Sequence, residues 1–175
     1  MLDNLFRRRN PTNKWSRQAN LSLTVDLSTY SLNSVPVGSR VEKFSFLGRS
    51  SSSSKSVLEF TDLGLSLDYE DDGTVSGFRV VWVDTENQFS EFKGTIRLNG
   101  SAIKTGNLLN ELGECYWLDK DEYELLHFYE YPTHELQIEQ SHEKQIRCMI
   151  VTKDFLMADP EQRQTYGVDK PWPPY

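Results

Sequence analysis

Histidines, cysteines and clustered carboxylates are the side chains from which metal sites and active sites are built. The chain has His127, His134 and His142, and two cysteines, Cys115 and Cys148. No two histidines are spaced H-x-x-x-H and the cysteines do not form C-x-x-C, the patterns that place two zinc ligands on one helix face or one turn. A metal would need ligands from distant positions, and neither a metal nor a cofactor is expected. Cys115 is followed by Tyr116 and Trp117 with acids around it, surroundings that disfavour a thiolate. There is no G-x-S-x-G elbow, and no phosphate loop of the G-x-x-x-x-G-K-[ST] or G-x-G-x-x-G kind. No catalytic residue is predicted, and the sequence leans away from an enzyme.

The densest chemistry is in "ECYWLDKDEYE", where Asp119, Asp121, Glu122 and Glu124 stand close together. A calcium loop beginning at Asp119 needs glycine at its sixth position, where the chain has Glu124. The stretch reads instead as a solvated acidic loop. Its aromatics, Tyr116, Trp117 and Tyr123, either anchor a protein contact or cover the core, while the acids would steer a basic partner. Tyr116, Trp117, Asp119, Asp121, Glu122 and Tyr123 are therefore the partner-binding candidates.

The two ends differ from this acidic body. Residues 1–19 hold Arg7, Arg8, Arg9, Lys14 and Arg17 against Asp3 alone, although the whole chain carries −7. They read as a flexible basic arm, with Arg7, Arg8 and Arg9 as candidates for contact with an acidic partner or an anionic surface. Net acidity disfavours nucleic acid as the default partner. Residues 153–175 gain prolines, and "KPWPP" meets a minimal P-x-x-P pattern that an aromatic-lined groove binds. They read as a proline-rich strap with Trp172 and Tyr175 packed on the domain. No stretch approaches the apolar length of a membrane span, no secretory signal is visible, and two cysteines make no disulfide framework. A cytoplasmic location is expected.

The elements between these ends occur in the same order twice. "DLGLSLDYEDDGTVSGFRVVW" reads as strand, turn, strand, and "THELQIEQSHEKQIRCMIV" repeats it 71 positions later, with Leu67, Val75 and Val80 falling on Ile138, Ile146 and Val151. Ahead of each hairpin comes a strand closing on Leu-Asn, at Leu32-Asn33 and Leu98-Asn99. A short helix closing on Leu-Gly follows, at Leu47-Gly48 and Leu112-Gly113. Ser39 and Glu42 have capping-box spacing before the first helix. "RSSSSSK" reads as a flexible loop, its place taken in the second half by the acidic loop.

The prediction is an α+β domain of two similar β-α-β-β-β units, residues 20–87 and 88–152, forming antiparallel sheet with two short helices packed on it. A helix passing through "FSFLG" or "LNELG" into an antiparallel meander, twice over, resembles the β-lactamase-inhibitor-protein fold and the related outer-membrane-assembly lipoprotein modules. That resemblance of layout spans most of residues 30–151 and implies a surface that grips another protein. Those families are exported, whereas this chain shows no export signal. The functional expectation is a non-enzymatic interaction module, of inhibitor or immunity type, for a basic protein partner. The alternatives are a small-ligand binder or enzyme with its pocket between the units, or a membrane or assembly factor using the arm.

Overall fold

The computed structural model describes residues 10–174, so Arg7, Arg8, Arg9 and Tyr175 lie outside the described residues. The fold is α+β, with little helix. The first half runs β1 (Thr24–Asp26), β2 (Ser31–Leu32), β3 (Val35–Pro36), a 3-10 helix over Val41–Leu47, then β4 (Ser52–Ser53), β5 (Val57–Phe60), β6 (Leu65–Tyr69) and β7 (Val75–Val81). The second runs β8 (Thr95–Leu98), β9 (Ser101–Ile103), helix α1 (Leu108–Leu112), β10 (Trp117–Lys120), β11 (Glu124–Glu130), β12 (Glu135–Ser141) and β13 (Ile146–Thr152). A short helix, α2 (Pro160–Thr165), precedes the tail.

Two sheets result. The smaller is ordered β3-β2-β1-β8-β9, and the larger is an eight-stranded antiparallel sheet ordered β10-β11-β12-β13-β7-β6-β5-β4. Both join the halves through positions related by 71. In the small sheet Thr24, Val25 and Asp26 pair in parallel with Thr95, Ile96 and Arg97. In the large sheet Phe78 pairs with Val151 and Val80 with Met149, a reciprocal arrangement of the same offset. The Leu-Asn and Leu-Gly pairs have a backbone cause. Asn33 and Asn99 turn the chain at φ 48° and 51°, and Gly48 and Gly113 end the two helices at φ 81° and 78°, a region that glycine enters without the Cβ penalty.

One apolar core draws on both sheets and the helices. Val25, Leu32 and Ile96 meet Phe44 and Leu47 of the 3-10 helix, Leu108 of α1, and the inward residues Leu58, Leu67, Phe78, Ile138 and Met149 of the large sheet.

Local structure departs from the sequence pattern in four places. Ser39 makes no cap: Arg40 is the N-cap residue, without a side-chain cap bond. The Ser39 carbonyl accepts from Val75 N–H, while Glu42 lies 3.7 Å from Arg40. The serine stretch contributes an edge strand, because Ser52 and Ser53 pair with Glu59 and Leu58. The strand expected to close on Leu32-Asn33 instead folds back at Tyr30, φ 48°, into β1 and β2. Finally, the part of the arm from Asn10 onward is docked. Thr12 is fully buried and its Oγ1 accepts Ser50 N–H at 3.0 Å, while Arg17 pairs with Asp62 at 2.6 Å and donates to Leu47 O at 3.2 Å.

Candidate interaction face

Strand alternation that sends Leu65, Leu67, Leu136 and Ile138 into the core sends Ser66, Asp68, Gln137 and Glu139 to the other side of the large sheet. Registers then bring one continuous row across all eight strands: Ser52, Glu59, Ser66, Arg79, Ile150, Gln137, Phe128 and Trp117. A flanking row runs Val81, Cys148, Glu139, Leu126 and Asp119. The opposite flank runs Val57, Asp68, Gly77, Thr152, Glu135 and Glu130.

The two flanks differ in cover. The C-terminal segment lies over Glu130 and Glu135. Met157 is fully buried there, the Tyr166 ring meets Phe128 edge-on at 5.5 Å, and Arg163 Nη1 donates to the carbonyls of Met157 and Ala158. Beneath it Glu135 is fully buried and accepts from Gln137 Nε2 and from Met157 N–H. Burial, with Glu130 alongside, pushes the Glu135 carboxyl up from 4.5 to about 8. Glu130 Oε2 accepts the Trp172 indole N–H at 3.0 Å, while its buried Oε1 has no hydrogen-bond partner. A second carboxyl close by disfavours the ionised form of Glu135.

On the other flank the charges meet solvent. Arg79 Nη2 lies 3.6 Å from Glu139 and Arg147 Nη1 3.2 Å from Glu124. Arg79 Nε and Trp117 Nε1 are buried without a hydrogen-bond partner. On the opposite flank, burial raises the Asp68 carboxyl, with Asp154 adding to the effect. The Cys148 thiol, pushed up to about 12 mainly by burial, is no nucleophile.

The structure divides the sequence candidates among three places. Trp117 and Asp119 belong to β10 and lie on the face, so the expected acidic loop is an edge strand followed by a tight hairpin; its four residues pair fully with residues 125–128. Asp121 forms the turn by accepting the N–H groups of Tyr123 and Glu124, which hold its carboxyl below the usual range. Glu122 and Tyr123 project at the hairpin tip, where Tyr123 is 70% exposed. Tyr116 faces the tail instead. Arg79 and Glu139 on the open side, and Glu130 and Glu135 beneath the C-terminal segment, are sheet-face residues that the sequence did not single out. Their signal was available as polar residues alternating with apolar ones, though their pairing across strands was not.

The histidines are scattered. The His127 ring is 3.3 Å from Gln140 Oε1, His134 stacks on Tyr30 at 4.1 Å, and His142 contacts Asp121 O. Among the described residues no three His, Cys, Asp or Glu side chains are grouped to hold a metal, and no helix is long and apolar enough to cross a membrane. Both cysteines are free thiols.

No protein-family model and no curated protein matches the chain. A solved structure similar to it is a DUF4309 family protein (YjgB) from Bacillus subtilis, at 15% identity and a TM-score of 0.42, the match covering 63% of this chain and 75% of that one. A likeness of that degree carries no argument about function.

Proposed function

We propose that this protein is a non-enzymatic interaction module, of inhibitor or immunity type, that grips a basic protein partner with the open flank of its eight-stranded sheet. The observation that carries the reading is the charge of that surface: Glu59, Asp119, Glu124 and Glu139 share it with Arg79 and Arg147. Two of the acids pair with the arginines, and the rest give a negative field suited to steering a cationic surface. Leu126, Ile150 and Trp117 supply the half-buried apolar centre that a stable contact needs. The recurrence of strand, helix and meander in the same order, with the hairpin at an offset of 71, supports a duplicated unit. It also supports the resemblance to the β-lactamase-inhibitor-protein layout, which implies a gripping face. Two free thiols suit a reducing, cytoplasmic compartment.

The test compares the full chain with its Asp119→Asn/Glu139→Gln variant as bait in native lysate, at low and high salt. One near-stoichiometric basic protein, lost with the variant and at high salt, is the expected result. A partner indifferent to both changes would place the contact elsewhere.

A further inference from the structure

The tail segment Lys170-Pro171-Trp172-Pro173-Pro174 has the composition of a proline-rich ligand, and in this chain it lies against the kind of surface that receives one. The Tyr116 hydroxyl lies 3.2 and 3.1 Å from the carbonyl oxygens of Lys170 and Pro171 and donates to that pair. Lys170 Nζ donates to Tyr116 O at 2.8 Å and stands 6.0 Å from the centre of its ring. The Trp172 indole donates to Glu130, and its ring meets Phe155 edge-on at 5.7 Å. Proline carbonyls accept hydrogen bonds while the residue brings no N–H of its own. A tyrosine hydroxyl, a carboxylate acceptor and an aromatic wall therefore match what such a segment offers.

The tail nevertheless contacts its groove without filling it. Lys170, Pro171, Pro173 and Pro174 remain exposed, and only Trp172 is half-buried. Between the tail and the residues Leu112, Cys115, Tyr129 and Tyr131 an open groove of about 530 Å³ continues.

We propose that this groove is a recognition site for a proline-rich segment of a partner protein carrying a Lys-Pro-aromatic sequence, with the chain's own tail as a displaceable resident occupant. The site is separate from the open flank of the sheet and would stand if that flank bound nothing. Tethering gives the resident tail an effective concentration in the millimolar range, so a free peptide competes poorly until the tail is loosened.

The probe is a fluorescein-labelled peptide of residues 167–174, GVDKPWPP, titrated with the full chain and read by anisotropy. Trp172→Ala should bind it at least about tenfold more tightly than the wild type, because the resident occupant loses its anchor. Adding Tyr116→Phe to that variant should weaken binding by about five- to tenfold through the lost hydroxyl donor. Near-UV circular dichroism checks that each variant is folded. If Trp172→Ala is not, Lys170→Ala loosens the tail at an exposed position and takes its place. Failure of the peptide to bind any folded, loosened variant would overturn the proposal, as would binding indifferent to Tyr116→Phe. So would a wild-type dimer in sedimentation that dissociates on Trp172→Ala, since the groove would then belong to the tail of a second copy.

Discussion

Glu135→Gln should flatten the dependence of stability on pH between the carboxyl's ordinary value of 4.5 and its native value of about 8. In the native chain near neutrality Glu135 keeps its proton, whereas the unfolded chain loses that proton near 4.5. The native state therefore binds more protons across this window, so stability is fully present below 4.5 and falls as pH rises through about 8. At about 1.4 kcal/mol per unit, the rise from about pH 5 to about pH 8 removes up to ~4 kcal/mol from the wild type. The amide introduced by Glu135→Gln keeps shape and charge neutrality at every pH, offering an N–H to Glu130. It loses the carboxyl's acceptance of Met157 N–H, at about 1 kcal/mol. The variant should thus be slightly weaker than wild type near pH 5 and stronger by about 2–3 kcal/mol near pH 8. Asp68, also raised by burial, contributes a slope common to both proteins. Urea unfolding followed by tryptophan emission at several pH values gives both curves. Parallel curves, or a variant weaker throughout, would refute a Glu135 carboxyl held protonated by its burial.

Other substitutions test the scaffold. Phe44→Ala, at a fully buried position, should cost about 3–5 kcal/mol in chemical denaturation. Gly77→Ala would place its Cβ 2.8 Å from Val151 O in the seam between β7 and β13, costing about 1–3 kcal/mol and lowering the thermal midpoint. Thr12→Val leaves the buried Ser50 N–H without its acceptor, a loss of about 1–3 kcal/mol by the same assay. Asp62→Asn breaks an exposed pair with Arg17 and should change stability by less than about 1 kcal/mol, with the difference vanishing at high salt.

Much of this fold is legible because its longer strands are buried on one face, so that Leu65, Leu67, Leu136 and Ile138 alternate with polar neighbours. The recurring Leu-Asn and Leu-Gly pairs are legible because left-handed backbone selects asparagine and glycine. What escaped detection was short or polar. Ser52–Ser53 and Trp117–Lys120 are edge strands held by backbone pairing, and their side chains carry no clean period. The docking of Thr12 depends on Ser50, far along the chain. The candidate face was legible only at Trp117 and Asp119, since its other members meet through registers among strands distant in sequence. Glu135 gave no sign of burial, because the segment that covers it lies beyond the meander.

An electrostatic grip by the open sheet flank is tested most directly by quantitative capture of the partner at about 0.05 M and about 0.5 M salt, a range over which screening shortens from more than about 10 Å to less than about 5 Å. The bait is wild-type chain beside Trp117→Ala and Asp119→Asn/Glu139→Gln. One basic partner should be retained at low salt by the wild type, released at high salt, and lost by both variants. A partner held equally by all three baits at both salt concentrations would contradict the electrostatic grip.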